Sequence, residues 1–205
     1  MAQSPIKPET KLRKSDQTKR AIVNAAREFL WNKPFRELTV RELMSVTGTS
    51  RPAFYQYFSD LHRLMEHLLD ELKNEIMVAA APWFEGVGEP VELLSRSLED
   101  FVQVCYEQGP FIRAIIEACS MDSKLESAWD NFISGFDIAV CQRIQQDQAV
   151  GLIPPMGAMQ VAISLNRMDV GVTVKNFGRV PRTDPTAVAE SLKRIWTLTL
   201  YGPTA

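Results

Sequence analysis

The 205-residue chain is 45% hydrophobic and 23% charged, with a formal net charge of −2, which is typical of a globular protein. No apolar run reaches the roughly 18 residues of a membrane-spanning helix. The first residues do not form a charged-then-apolar leader, so we expect a cytoplasmic protein without membrane contact.

The charges are unevenly distributed along the chain. Residues 1–58 hold 11 Lys/Arg against 5 Asp/Glu, a net charge of +6, and residues 59–205 hold 12 against 20, a net charge of −8. A basic first segment is typical of a protein whose N-terminal part meets phosphate. We interpret residues 1–15 as a flexible basic arm, which either contacts DNA or is only a disordered terminus.

Residues 16–60 are predicted to form a three-helix DNA-binding domain. The first helix, residues 16–33, has one apolar face, formed by Ile22, Ala25, Ala26, Phe29 and Leu30. This face is expected to brace two shorter helices through Phe29, Leu43 and Phe58.

The two shorter helices have clear boundary signals. Thr39 and Glu42 have the spacing of a capping box, and Gly48 stands where the chain must turn sharply. Ser50 is placed to cap a second helix, with Pro52 near its start. Two short helices joined by a glycine turn indicate a helix-turn-helix, whose second helix can enter the DNA major groove.

This segment closely resembles the DNA-binding segment of the TetR family of bacterial transcriptional regulators. The matching residues are Thr39, Val40, Leu43, Gly48, Ser50, Phe54, Tyr55, Tyr57 and Phe58. The resemblance implies an all-α fold of about nine helices, with a DNA-binding head and a C-terminal body that binds ligand and dimerises.

Candidate DNA contacts are hydroxyl, amide, guanidinium and ammonium groups in the head. They are Thr39, Thr49, Ser50, Arg51, Pro52, Tyr55, Gln56 and Tyr57, with Lys19 and Arg20 on the first helix. Hydroxyls and N–H groups at a helix start suit phosphate, and Arg or Gln can read base edges. The resemblance implies that Tyr55 holds phosphate and that Thr49, Ser50, Arg51 and Gln56 lie nearest the bases.

One position departs from the family pattern. Members often carry a phosphate-gripping lysine at the start of the fourth helix, where this chain has Leu61, followed by His62 and Arg63. We expect Arg63 or the helix N-terminus to take over this contact. Otherwise the affinity depends more on Lys19, Arg20 and the arm.

The body, residues 61–205, is predicted to be helical throughout. Apolar periodicity and Gly/Pro breaks place helices at about 59–81, 90–107, 110–120, 123–148, 156–177 and 184–201. The breaks fall at Pro82, at Gly109-Pro110 and between Gly151 and Pro155.

The helix at 156–177 has two opposed stripes. One contains Ala162, Asn166, Asp169 and Thr173, and the other contains Val161, Leu165, Met168 and Val172. Two such faces predict burial on both sides, one against a neighbouring subunit and one towards the interior of the body.

The C-terminal part resembles the mycobacterial ethionamide-resistance repressor subgroup of this family, at Leu165-Asn166, at Asp169 and from Ile195 to Gly202. The resemblance implies a long aromatic pocket lined by Phe101, Cys105, Trp129, Phe132, Phe136, Asn166, Asp169 and Trp196. Asp169 stands where the relative has an amide. The aromatic residues are equally compatible with an ordinary core, and Asn166 and Asp169 could instead make bonds across a dimer interface.

We therefore expect a ligand-responsive transcriptional regulator, in the first place a repressor. It would bind a pseudo-palindromic double-stranded DNA operator as a homodimer and be released by a small apolar or amphipathic effector. One alternative is a DNA-binding protein without ligand switching. Another is a helical enzyme, although no phosphate loop, HExxH motif or nucleophile–base pattern is present.

No cofactor or metal is expected. Cys105, Cys119 and Cys141 lack CxxC spacing and are typical of reduced, buried thiols. His62 and His67 have no third ligand near them in the sequence.

Overall fold

The computed structural model describes the backbone of residues 8–202 and the side chains of residues 16–202. The helices are α1 (Pro8–Asn32), α2 (Val40–Thr47), α3 (Arg51–Tyr55), α4 (Leu61–Glu85), α5 (Pro90–Cys119), α6 (Ser123–Ala149), α7 (Ala158–Phe177) and α8 (Pro185–Leu200), with a short 3₁₀ turn at Phe35–Glu37. The described part of the chain contains no strand. The all-α prediction is therefore confirmed.

The chain divides into two compact units, with the division between Leu68 and Leu69 inside α4. We predicted the boundary at residues 60 and 61, but the first turns of α4 belong to the first unit. The helix α1 begins at Pro8, so residues 8–15 continue this helix, which we expected to start at residue 16. Residues 1–7 of the predicted arm lie outside the described residues.

The first unit is a small helical bundle. Helix α1 packs on α2, and α2 packs on α3. Its core contains Ile22, Ala26, Leu30, Leu43, Phe54, Phe58 and Leu64, all buried. Leu43 and Phe58 lie in this core as expected, whereas Phe29 is half-buried with the Lys33 ammonium 5.0 Å from its ring centre.

The second unit is built around α5, which packs against α6, α7 and α8. The prediction that α5 breaks at Gly109-Pro110 is wrong, because one helix continues to Cys119. Pro110 has no N–H for the carbonyl of Tyr106, one turn earlier. Arg182 supplies the missing donor, with its Nη1 2.6 Å from that oxygen.

Gly109 has a separate reason to be glycine. A Cβ at this position would lie 2.5 Å from the carbonyl oxygen of Phe177 at the end of α7. The residue pair that we interpreted as a helix break therefore allows a close helix crossing.

Helix α4 also continues past the expected break at Pro82 and ends at Glu85. Neighbouring side chains bond the backbone around this proline. The N–H of Trp83 donates to Ser97 Oγ at 3.0 Å, and the carbonyl of Trp83 accepts from Arg143. The helix stops only where Gly86 and Gly88 follow, Gly88 with a φ of +154°.

The burial pattern agrees in part with the two stripes predicted on α7. In the first stripe, Ala162, Asp169 and Thr173 are buried and Asn166 is half-buried. In the second, Leu165 is buried, whereas Val161, Met168 and Val172 are partly exposed. None of the described helices is both long enough and apolar enough to cross a membrane.

Candidate functional site

The helix-turn-helix of the first unit forms as its sequence signals predict. Thr39 Oγ1 accepts a hydrogen bond from the Glu42 N–H at 3.1 Å, which caps α2. Gly48 has a φ of +65°, a left-handed conformation that disfavours any residue with a Cβ.

Two details of the predicted caps differ. The Glu42 carboxylate lies 3.8 Å from Lys33 Nζ, an ion pair that competes with completion of the capping box. The Ser50 side chain makes no capping bond to α3, although its carbonyl accepts from the Ala53 N–H at 2.9 Å. The Ser50 hydroxyl is exposed and available to an external partner.

Helix α3 presents a polar outer surface. Phe54 is fully buried and anchors the helix, whereas Arg51, Pro52, Tyr55 and Gln56 are exposed and line one shallow surface depression. Arginine, phenol and amide groups in one surface match what phosphate and base edges require.

The other predicted DNA contacts are less uniform. Thr49 is half-buried, with its hydroxyl hydrogen-bonded to Thr47 and Met44, and Tyr57 is also half-buried. The Lys19 ammonium lies 5.8 Å from the Phe58 ring centre. Arg20 and Thr39 are exposed. The structure therefore brings four of the ten predicted contacts together directly.

The start of α4 is already satisfied within the protein. Asp60 Oδ1 accepts from the Arg63 N–H at 2.9 Å, and this bond lowers the pKa of Asp60. The Arg63 guanidinium pairs with Glu66. A carboxylate at this helix start opposes phosphate, so the position of Leu61 does not gain a simple replacement for the family's lysine.

The second unit contains a cavity between α4, α5, α6, α7 and α8. All eight residues of the predicted pocket line it: Phe101, Cys105, Trp129, Phe132, Phe136, Asn166, Asp169 and Trp196. The cavity has a volume of about 90 Å³. A single water needs roughly 10–15 Å³ on this measure, so several non-hydrogen atoms of a ligand can be accommodated.

The aromatic part of the wall is continuous. Trp129 stacks on Phe132 with ring centres 5.1 Å apart, and Phe132 meets Phe136 edge-on at 5.2 Å. Trp196 meets Trp83 edge-on at 5.7 Å. These are preferred aromatic geometries, which gives the wall a defined shape.

Sequence reasoning missed the contribution of α4 to this wall. Leu72, Ile76 and Trp83 line the cavity from α4. Apolar periodicity predicted this helix at about 59–81, but the predicted pocket residues all lie on later helices. Trp83 follows Pro82, where we expected the helix to have ended.

Of the described residues that line the cavity, Asp169 is the one with an acidic side chain. It is buried, and its Oδ1 accepts from the indole N–H of Trp196 at 3.1 Å. Burial raises the pKa of Asp169 to about 7, because a carboxylate loses solvation there. Burial also raises the pKa of Cys105 far above its usual range, so this thiol stays protonated.

Asn166 has a hydrogen-bond partner within the second unit. Its Nδ2 donates to Asp137 Oδ1 at 2.8 Å. Arg167 donates to both oxygens of Asp137, at 3.2 and 3.1 Å. Asp137 on α6, which sequence reasoning did not single out, therefore fixes the orientation of Asn166.

Comparisons with known proteins agree with this two-part organisation. Residues 22–68 match the family described as bacterial regulatory proteins of the tetR family, and residues 94–202 match the C-terminal domain of the transcriptional regulator EthR. The chain belongs to the TetR family, with an EthR-type C-terminal domain. This TetR-family protein is thus a transcriptional regulator and not an enzyme.

Its relatives are distant. The HTH-type transcriptional regulator EthR of Mycolicibacterium smegmatis is 26% identical over 190 residues, covering 91% of this chain and 88% of the relative. A TetR-family regulator from Rhodococcus sp. has a similar fold, with a TM-score of 0.77, 17% identity and coverage of 90% and 99%. AibR, solved with isovaleryl coenzyme A and operator DNA, has a TM-score of 0.68, 15% identity and coverage of 91% and 100%.

Proposed function

We propose that this TetR-family regulator is a ligand-responsive repressor that binds a pseudo-palindromic operator as a homodimer. A small, mostly apolar or amphipathic effector would release it. The observation that carries the proposal is the cavity of the second unit, because α4 contributes to its wall and begins within the DNA-binding unit. A change in the wall can therefore move the helix that follows the recognition helix.

The DNA-binding part of the proposal depends on the exposed surface of α3. Arg51, Tyr55 and Gln56 supply a cation, a phenol and an amide on one side of a short helix. One such helix makes few contacts, so specific binding requires two heads about 34–36 Å apart on DNA. A two-fold dimer would provide them and would read a site with matching symmetry.

The proposed dimer is supported by apolar side chains that are exposed on the last two helices. Ile195 and Leu198 of α8 are 42% and 48% exposed, and Met159 of α7 is 40% exposed. Exposed large apolar side chains are compatible with a subunit interface. Met159 lies on the helix for which we predicted a second, intersubunit face.

The proposed ligand switch is supported by a series of contacts from the cavity to α4. Asp169 accepts from Trp196, whose ring meets Trp83 of α4 edge-on. The Trp83 indole in turn donates to the Tyr201 hydroxyl at 2.9 Å. A ligand that displaces Trp196 would disturb the packing of α4, and a typical coupling of about 1–3 kcal/mol between sites is enough for release.

AibR, solved in complex with isovaleryl coenzyme A and operator DNA, has a similar fold. A protein of this fold can therefore hold a small molecule and an operator, as we propose here.

The first experiment is selection of bound DNA from a random pool, followed by gel-shift titration of the selected site. We expect a symmetric site and an affinity that falls steeply with salt, because phosphate contacts release counterions. Arg51→Ala should weaken binding, whereas Arg96→Ala, the same change at an exposed position of α5, should not. An asymmetric site, or affinity that is independent of salt, would contradict the proposed DNA binding.

The second experiment addresses the switch. Compounds that raise the melting temperature are added to the protein–operator complex, and release is measured. Stabilising compounds that leave operator affinity unchanged would favour the alternative, a DNA-binding protein without ligand switching.

A further inference from the structure

The cavity wall carries few polar groups. Among the described lining side chains, hydroxyl, carboxyl and amide groups occur on Ser97, Asn166, Asp169 and Thr173. Among the side chains that the structure describes, no lysine, arginine or histidine lines the cavity. The chemistry of a ligand is therefore set by which of these groups still have a free donor or acceptor.

Several hydrogen-bond donors on the wall are already used by the protein. The Ser97 hydroxyl donates to the Ala80 carbonyl at 3.3 Å, and the Thr173 hydroxyl donates to the Asp169 carbonyl at 2.7 Å. Of the three indole N–H groups on the wall, two are donated to Tyr201 and Asp169.

The orientation of the Asn166 amide follows from the chemistry of its partner. Both oxygens of Asp137 already accept from Arg167, so the amide presents its nitrogen, the donor, to Asp137. The amide oxygen of Asn166 consequently remains as an acceptor. Reversing the amide would place two acceptors 2.8 Å apart.

Asp169 adds a second acceptor beside the first. It lies three residues after Asn166 on α7, so the two side chains are neighbours on one face of the helix. Its Oδ1 accepts from Trp196, and among residues 16–202 no other side-chain donor bonds this carboxyl group. A buried carboxylate without a cation is costly, and a cation in the cavity would remove this cost.

We propose that the cavity binds ligands that carry a protonated amine on an apolar chain or ring, with the ammonium donating to Asp169 and to the amide oxygen of Asn166. The aromatic wall would hold the apolar part. This inference depends on the proposed function only in taking the cavity as the effector site. A ligand carboxylate at the same place would meet two acceptors and a like charge, and would be rejected.

The test compares three probes of equal length: octylamine, octan-1-ol and octanoate. Each is titrated into the full-length protein at pH 8, and binding is followed by the fluorescence of the tryptophans on the wall. We expect octylamine to bind at least about tenfold more tightly than octanoate, the difference made by a hydrogen bond to a charged group.

Two variants show whether Asp169 causes this preference. Asp169→Asn should reduce the preference for octylamine over octanoate by about tenfold or more, while octan-1-ol still binds and so reports an intact cavity. Asp130→Asn, the same change at an exposed position of α6, should leave all three affinities unchanged.

Each outcome separates the inference from the proposed function. Equal affinities for octylamine and octanoate, or a preference that survives Asp169→Asn, would overturn the inference and leave the effector cavity standing. Binding of octylamine without operator release would support the ligand class but refute the switch. If none of the probes binds, the ligand class is overturned, and the operator-release experiment with stabilising compounds tests the proposed function separately.

Discussion

The substitution Asp169→Asn is expected to stabilise the protein, and by an amount that depends on pH. Asparagine keeps the shape of the side chain and an oxygen to accept from the Trp196 indole, which lies 3.1 Å from Oδ1. It removes only the carboxyl group, whose pKa burial raises from 3.8 to about 7.

The sign follows from the proton bound in each state. Between pH 4 and pH 7 the folded protein retains the Asp169 proton that the unfolded chain has released, so wild-type stability falls as pH rises and levels off above pH 7. One pKa unit corresponds to about 1.4 kcal/mol, so the full loss is about 4 kcal/mol. About 3 kcal/mol of it falls between pH 5 and pH 8.

The assay is urea unfolding of wild type and variant at pH 5, 6, 7 and 8, followed by tryptophan fluorescence. Trp83, Trp129 and Trp196, three of the four tryptophans, lie in the second unit, so the signal mainly reports that unit. We expect the variant's advantage in unfolding free energy to grow by about 3 kcal/mol from pH 5 to pH 8.

The exposed control Asp130→Asn should show a small difference that does not change with pH. If the advantage of Asp169→Asn is the same at every pH, then Asp169 does not titrate between its unfolded value and neutrality. Our account of its buried environment would then be refuted.

Three further predictions concern the backbone and the ligand. Gly48→Ala should destabilise the first unit by about 1–2 kcal/mol, which a melting curve measures. The loss comes from the left-handed backbone conformation alone, because the new Cβ would meet no atom within 4 Å. Arg182→Ala should lower the free energy of unfolding by about 1–3 kcal/mol, because the Tyr106 carbonyl loses its donor. In urea unfolding, Pro110→Ala in that background should restore part of this loss, and no recovery would contradict our account of α5. The affinity for octylamine should rise about tenfold from pH 6 to pH 8, because Asp169 ionises in this range. Cys105, which also lines the wall, stays protonated and does not contribute. An equal rise for octan-1-ol would show that the rise has another cause.

The helix-turn-helix was predictable because its signals are local. The Thr39 cap and the Gly48 turn depend on residues within about one helical turn of each other. The expected Ser50 cap did not form, since its carbonyl, and not its hydroxyl, receives the first N–H groups of α3.

The continuous α5 was not predictable from its own residues. Gly109-Pro110 is a strong break signal, but the donor that compensates for Pro110 comes from Arg182, far along the chain. The same holds for Pro82 of α4, whose surroundings are bonded by Ser97 and Arg143. A sequence pattern cannot show a partner that only the packed helices bring near.

The amino-acid order alone determined the helical class, the position of the recognition helix and, through family resemblance, the eight side chains that meet at one cavity. Only the tertiary structure decided which of their polar atoms remain available. Asn166 is oriented by Asp137 of another helix, and among the described residues no side-chain donor other than Trp196 bonds the Asp169 carboxyl group. The physical reason is that a hydrogen bond is directional and consumes a specific donor, so the free chemistry of a pocket depends on its neighbours in space and not on residue type.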